Sequence, residues 1–262
     1  AAAVIVLAAL LTGFISARRS ERIARAEAQH ATMEADSFQA IASFLMDAFL
    51  PAQPGGDPAW QERARTQILD QAQRVHRQYA NADHVRANLL DTLGQVCLRL
   101  ALFEDAERLM REALAIRGET FGHRSLEYAL SLRSLGQLKY RTGEYAEAAQ
   151  LMALALPIHR AAPTDTHASV AALANDLAAC LRSLGREAES LALHHEALAL
   201  RRGEDNGSLP VAESLNNLAG VHLGRGEHPP AVAALREALA IRTSILGDLH
   251  PLTLQTTSNL AG

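Results

Sequence analysis

Histidines are the residues of this chain that could most readily hold a metal ion, and the sequence has 11 of them. The densest group is His194-His195-Glu196. Neighbouring residues of a helix point about 100° apart, whereas a zinc site needs side chains that converge on one point. The His-Glu-x-x-His spacing, which puts two histidines on one helix face, does not occur. We therefore predict no metal site and no cofactor.

Other residues with catalytic potential are isolated from one another. The two cysteines, Cys97 and Cys180, lie far apart in apolar stretches, so small buried side chains are the simplest interpretation. The sequence offers no Ser/His/Asp or Cys/His set, no paired carboxylates with acid–base spacing and no phosphate-binding loop. The chain as given is predicted not to be an enzyme.

The composition favours an all-helical fold. Hydrophobic residues make up 48% of the 262 positions, but aromatic residues only 4%. The core must therefore come mainly from Ala and Leu, the strongest helix formers. Lys plus Arg number 25 and Asp plus Glu 29, for a net charge of −4. Nucleic-acid binding usually needs a concentrated basic face, so we predict no nucleic-acid partner.

One heptapeptide, Arg-Glu-Ala-Leu-Ala-Ile-Arg, occurs twice, at 111–117 and at 236–242. In the same register, a Leu-Gly or Leu-Ala pair recurs after 42, 42, 41 and 42 residues: Leu93-Gly94, Leu135-Gly136, Leu177-Ala178, Leu218-Ala219 and Leu260-Ala261. A fixed period of this length indicates a repeated supersecondary unit. The two heptapeptides belong to the first and fourth units.

Each unit has the pattern of a helix, a short turn and a second helix. The turns, three of which contain glycine, are predicted at Ala101-Leu102, Thr142–Glu144, Leu184–Arg186 and Arg225–Glu227. Small residues let the second helix approach the first closely, at Ala106, Ala148, Ser190 and Ala231. One pair cannot bury both of its faces, so neighbours should stack. The predicted units span about 87–128, 129–170, 171–211 and 212–253, with a truncated fifth from 254.

This pattern resembles the tetratricopeptide repeat. The signature of that repeat is met by Leu90-x-x-Leu93-Gly94 with Ala106-x-x-x-Met110, and in register by the second and fourth units. The third unit matches less well, with Ala174, Ser190 and His194 at the signature positions. The longer period, with Leu215–Ala219 and Leu246–Pro251, is similar to the kinesin-light-chain type found in bacterial proteins. The resemblance implies a right-handed α-solenoid of tandem helix-turn-helix repeats. We expect a long N-terminal helix before it.

In tetratricopeptide repeats the first helices line a concave surface that binds extended peptides. The resemblance therefore implies a peptide-binding groove formed by Asn88, Gln95, Arg99, Arg133, Gln137, Tyr140, Arg141, Asn175, Arg182 and Asn216. Amides suit a peptide backbone because they both donate and accept, and guanidinium groups pair with carboxylate or phosphate. We expect a protein or peptide partner that is acidic or phosphorylated. The alternative is that these residues only face water.

The N-terminal residues form a different pattern. Ala1–Ser16 is almost wholly apolar, and four arginines follow at once, which is typical of a transmembrane helix that lacks its first turn. A buried core helix and a signal-peptide core are the alternatives. We predict a truncated transmembrane helix over 1–17, a juxtamembrane helix over 18–50, a linker over 51–58 and the repeats over 59–262. The predicted localisation is single-pass in a bacterial inner membrane, with the side of the repeats left open.

This layout resembles the C-terminal half of bacterial membrane-anchored serine/threonine protein kinases. The resemblance rests on the apolar segment, on Phe44-Leu45-Met46-Asp47-Ala48-Phe49-Leu50 before the linker, and on Thr66-x-x-Leu69-Asp70 before the repeats. In such proteins a kinase domain precedes the membrane helix, and none of its motifs occurs in this sequence. Our first hypothesis is a membrane-tethered interaction scaffold. The alternatives are the sensory or docking region of such a kinase and the repeat region of a transcriptional regulator.

Overall fold

A computed structural model describes residues 60–162 and 166–261. Within these ranges every regular element is an α-helix, which confirms the predicted all-α class. The ten helices there are α1 Trp60–Gln78, α2 Asp83–Arg99, α3 Phe103–Phe121, α4 Leu126–Arg141, α5 Tyr145–Ala161, α6 His167–Ser183, α7 Glu187–Glu204, α8 Leu209–Gly224, α9 His228–Leu246 and α10 Pro251–Ala261. The segments predicted at 1–17, 18–50 and 51–58 lie outside the described residues, so the long N-terminal helix stays a prediction.

The chain divides into two compact units, the first ending at Leu100 and the second beginning at Ala101. In the described part of the first unit, α1 packs against α2. Ile68, Ala72 and Val75, spaced three or four residues apart, form the buried stripe of α1. The burial of this stripe explains why a segment that is otherwise polar is held as a helix.

The second unit is built from pairs of helices stacked in chain order. α4 pairs with α5, α6 with α7 and α8 with α9, and α3 packs against α4. The second helix of each pair also packs against the first helix of the next, and α6 touches both α4 and α8. We call α2, α4, α6, α8 and α10 the first helices, and α3, α5, α7 and α9 the second helices. This tandem packing is the arrangement that the period of 42 residues predicts.

Glycine ends the first helix of three successive pairs. Gly143, Gly185 and Gly226 all have positive φ, a conformation that residues with a side chain rarely adopt. The amide after each glycine then reaches back to a helix carbonyl, as from Glu144 N to Lys139 O at 2.8 Å. Ala101, at the same register position before α3, also has a positive φ of 57°. The predicted turns are confirmed.

The core of the second unit depends on close helix contacts at small residues. Ala106, Ala148, Ser190 and Ala231 are all fully buried, as predicted from the repeat. Around them lie two clusters of buried Leu, Ala, Val and Met side chains, one centred on α5 and α6 and the other on α8 and α9. Small residues at these crossings leave room for the larger side chains to interdigitate.

The structure corrects the predicted localisation. In the described part of the chain, no helix is both long enough and apolar enough to cross a bilayer. Most of the large apolar residues of these helices are buried between neighbouring helices, although a few, such as Leu154 and Ile245, are exposed. This finding contradicts the single-pass bacterial inner-membrane localisation, and that prediction is wrong. Residues 1–17, on which it rested, lie outside the described ranges.

Candidate functional site

Polar side chains join successive first helices in the second unit. Arg133 and Gln137 of α4 both donate to Oδ2 of Asp176 on α6, from Arg133 Nε at 3.1 Å and from Gln137 Nε2 at 2.9 Å. Arg133 and Asp176 are both partly buried. Asp176 therefore neutralises the charge of Arg133, and the three side chains hold α4 against α6.

A corresponding bond lies between α8 and α10. Nδ2 of Asn259 donates to Oδ1 of Asn216 at 3.1 Å, across 43 residues of sequence, as between Arg133 and Asp176. The bond is exposed to solvent. Within the residues that the structure covers, Nδ2 of Asn216 and Oε1 of Gln137 make no hydrogen bond. Both amides thus keep a free donor or acceptor.

Two arginines at the ends of first helices have open donors. Arg141 of α4 and Arg182 of α6 are exposed, and neither makes a hydrogen bond or ion pair with any residue in 60–162 or 166–261. Tyr140 is partly buried, and its ring packs against that of Tyr145 with centroids 5.3 Å apart. The free hydrogen-bonding capacity of this face is therefore concentrated in the two guanidinium groups.

Three of the predicted groove residues belong to the first unit. Asn88 and Gln95 are partly buried on α2, and Arg99 is exposed in the last turn of that helix. The backbone carbonyl of Asn88 accepts a hydrogen bond from the hydroxyl of Thr92 at 2.9 Å. These residues follow the same spacing as those of α4, but they form part of a separate compact unit.

Asn175 requires a correction, because the structure buries it. Only 5% of the residue is exposed. Its Nδ2 donates to Ser214 Oγ at 3.0 Å, and its Oδ1 lies 2.7 Å from Nδ1 of His194. Both ends of the amide are thus used inside the protein. Asn175 joins α6 to α7 and α8 and is not available to a peptide in the groove.

His194, from the histidine cluster that the sequence highlights, is a packing residue of α7. It is 2% exposed, and burial, with lesser contributions from Arg182, His195 and Arg201, lowers its pKa to about 4. The imidazole is therefore neutral near pH 7. Its neighbour His195 lies on the exposed side of the same helix, so the two rings do not converge. Cys97 and Cys180 are both fully buried, as predicted.

The second helices carry arginines that are paired from one repeat to the next. Arg160 of α5 forms a bidentate contact with Glu196 of α7, and Arg202 of α7 pairs with Glu237 of α9 in the same register. Arg111 of α3 likewise donates to Glu147 of α5 at 2.9 Å (all are partly exposed). Along this side of the second unit, arginine and glutamate neutralise one another.

Sequence reasoning missed three buried arginines, two of which, Arg117 and Arg242, are the last residues of the two heptapeptide copies. Nη1 of each donates to a hydroxyl on the following first helix, in the pairs Arg117–Ser131, Arg201–Ser214 and Arg242–Thr256. Nη1 of Arg201 also donates to the carbonyl of Pro210 at 2.7 Å and to Glu213 at 3.0 Å. The signal was present in the sequence, because Ser or Thr follows each of these arginines after 13 or 14 residues.

Tandem pairs of helices, with side-chain bonds that recur from pair to pair, define a helical repeat protein. The family model described as Tetratricopeptide repeat matches residues 86–161, 169–244 and 210–262. The chain therefore belongs to the tetratricopeptide repeat family. No curated protein sequence matches it. The fold of this family is consistent with a protein-interaction scaffold, which agrees with that part of the first hypothesis, whereas its membrane tether is not supported.

Solved structures support the predicted kinesin-light-chain type of repeat. A structure of kinesin light chain repeats from Podosopora anserina is 21% identical, covers 67% of this chain and 84% of its own, and has a TM-score of 0.59. BtubC from P. vanneervenii is 19% identical, with 83% and 92% covered and a TM-score of 0.59. MamA is 14% identical, with 72% and 96% covered and a TM-score of 0.51. These likenesses confirm the fold class, whereas the kinase link is not shown by any of them and stays a prediction.

Proposed function

We propose that the second unit binds an extended segment of a partner protein along α4, α6 and α8, and that this segment carries carboxylate or phosphate groups. One observation carries the proposal: Arg141 and Arg182 are exposed and have no partner among the described residues, whereas Arg111, Arg160 and Arg202 of the second helices pair with glutamates. Guanidinium groups with open donors on adjacent repeats favour a ligand with acidic groups at intervals.

The neighbouring polar residues supply a sequence-independent part of the binding. Gln137 and Asn216 each use one end of the amide to join first helices, and the other end is free to bond a peptide backbone. Arg133 contributes less attraction than its charge suggests, because Asp176 neutralises it. In the first unit, Asn88, Gln95 and Arg99 remain candidates by their register alone.

The test compares two pairs of arginines in the same protein. Arg141→Gln with Arg182→Gln removes the proposed contacts, and Arg124→Gln with Arg236→Gln is the matched control. Arg124 and Arg236 are also exposed and lack a partner among residues 60–162 and 166–261, but neither lies on a first helix. Both double variants change the net charge equally, so a difference between them reports position and not total charge.

The probe is a fluorescein-labelled peptide of alternating Glu and Gly, with a Gln-Gly peptide for comparison, measured by fluorescence anisotropy. We expect the Arg141/Arg182 variant to bind the Glu-Gly peptide about tenfold more weakly, because two exposed ionic contacts contribute up to about 1 kcal/mol each. The control variant should bind like the parent, and affinity should fall as salt rises. Equal losses in the two double variants would refute the proposed site.

A further inference from the structure

Arg182 lies across a glycine of the neighbouring first helix. A methyl group added to Gly220 of α8 would come within 2.7 Å of Nη1 of Arg182 and 3.9 Å of its Cζ. In the three repeats before it the same register position holds Gln95, Gln137 and Ala179. Among the described helices, α8 is the one with a glycine at this position, and there the guanidinium group of the preceding first helix lies over the bare backbone.

Gly220 has no conformational reason to be glycine. It lies inside α8, with helical backbone on both sides and no positive φ. A glycine in the interior of a helix destabilises it relative to an alanine, because glycine gains no side-chain contact and loses more backbone freedom on folding. The use of glycine here therefore points to the space above it.

No acidic residue on the two helices is left to neutralise Arg182. Asp176 is the acid of α6, and it accepts bonds from Arg133 and Gln137. Glu213 is the acid of α8, and it accepts a bond from Arg201. The guanidinium group is thus held against α8 with its donors open.

We infer that Gly220 is a positioning residue: it forms a shelf on α8 that holds the Arg182 guanidinium where it binds an oxyanion of the partner segment. The inference rests on the proposed function and names the residues that set the place of one anionic group. Carboxylate and phosphate oxygens have the same recognition chemistry here, since both accept two parallel N–H bonds from guanidinium.

The test substitutes the glycine and measures stability and binding together. Gly220→Ala should raise the melting temperature by about 2 °C, because alanine favours the helix and the tip of Arg182 is free to move aside. The same variant should bind the Glu-Gly peptide about threefold to tenfold more weakly, because Arg182 is displaced. A structural role alone cannot make the protein more stable and the binding weaker.

Two comparisons isolate the effect. Gly203→Ala on α7 is the matched control: nothing lies within 4 Å of its added methyl group, so the helix gains stability and binding is unchanged. In an Arg182→Gln background, Gly220→Ala should have no further effect on affinity, because the residue that it positions is gone. A phosphoserine-Gly peptide, measured beside the Glu-Gly peptide, shows which source of oxyanion the shelf prefers.

The outcomes separate this inference from the function on which it rests. If the parent protein binds the Glu-Gly and phosphoserine-Gly peptides no better than the Gln-Gly peptide, the proposed function and the shelf both fail. If the acidic peptides bind, and Arg141→Gln with Arg182→Gln weakens them while Gly220→Ala does not, only the shelf is overturned. A loss from Gly220→Ala that persists without Arg182 would also overturn it.

Discussion

The junction between α7 and α8 and the junction between α5 and α6 use the same register positions in opposite ways. At the first, four buried side chains form one hydrogen-bonded chain: His194, Asn175, Ser214 and Arg201. At the second, the corresponding positions hold Met152, Arg133, Leu173 and His159. His159 and Leu173 thus stand where the first junction has Arg201 and Ser214. Met152 and Arg133 stand where it has His194 and Asn175, and Arg133 pairs with Asp176.

The difference shows that one repeat geometry accepts a polar or an apolar junction, but at different risk. In the polar junction each side chain satisfies the next, so the loss of one leaves a buried donor or acceptor without a partner. In the apolar junction Met152 lies in the core and contacts Cys180, with the two sulfur atoms 3.7 Å apart. Substitutions there change the packing but leave fewer buried polar groups without a hydrogen-bond partner.

The largest expected effect comes from the same substitution at two corresponding positions. Asn175→Leu should lower the free energy of unfolding by about 3 kcal/mol, because His194 and Ser214 both lose a buried partner. Arg133→Leu should cost less than about 1 kcal/mol, since it removes a partly exposed ion pair. Urea denaturation of both variants measures this difference. Equal costs would mean that the polar junction is no more demanding than the other.

A smaller effect concerns the pH dependence of stability. His194 has a pKa of about 4 in the folded protein and an ordinary value of 6.5. The unfolded chain therefore takes up a proton first as the pH falls, and stability decreases from about pH 6.5 down to about pH 4. Between pH 8 and pH 5 the loss should be about 2 kcal/mol.

The control for this pH dependence is His194→Met, which places at α7 the residue found at the corresponding position of α5. Its free energy of unfolding should fall less between pH 8 and pH 5 than that of the parent, by the contribution of the missing histidine. Denaturant titrations across this range provide the measurement. Parallel curves for the two proteins would show that His194 does not titrate differently on unfolding.

The smallest effect is expected where α7 crosses α6. Ser190, which corresponds to Ala148 of α5, donates its hydroxyl to the carbonyl of Ala178 at 2.8 Å. Ser190→Ala should lower the free energy of unfolding by about 1 kcal/mol or less. It removes one hydrogen bond, but alanine is also small enough for the helix crossing. Ala148→Ser tests the reverse change in the apolar pair by thermal denaturation. If Ser190→Ala destabilised the protein more than Asn175→Leu, the helix crossing would contribute more to stability than the polar junction.

Much of the fold could be predicted from the sequence because residues with the same structural role recur in each repeat. The glycines at 143, 185 and 226 recur where the backbone needs a positive φ, and small residues recur where the helices cross. Ala101 has a positive φ at the same register position although it is not glycine. The repeat period therefore predicted this turn where the residue type alone would not. The membrane prediction used hydrophobicity at 1–17 without such a repeat, and no described helix supports the localisation that it implied.

The site was harder to predict, since period shows which helix face a residue occupies but not which residues it meets. Asn175 was assigned to the groove by its register in the repeat, yet its partners Ser214 and His194 lie 39 and 19 residues away in the sequence. Arg201 begins the polar C-terminal end of α7, which suggests an exposed side chain, but it is buried and donates to Ser214. Contacts between side chains of different helices determine whether such residues are buried. A single sequence reveals these contacts only where the same pair of residues recurs in several repeats.

The side-chain bonds between helices of the second unit join residues that are close in the chain. The buried arginines reach hydroxyl groups 13 or 14 residues later, and the bonds between first helices span 39 to 43 residues. Short loops close at little entropic cost, so folding is expected to be fast and to start at any pair of helices. During synthesis, each pair can reach its native contacts before the chain has moved two helices further from the ribosome.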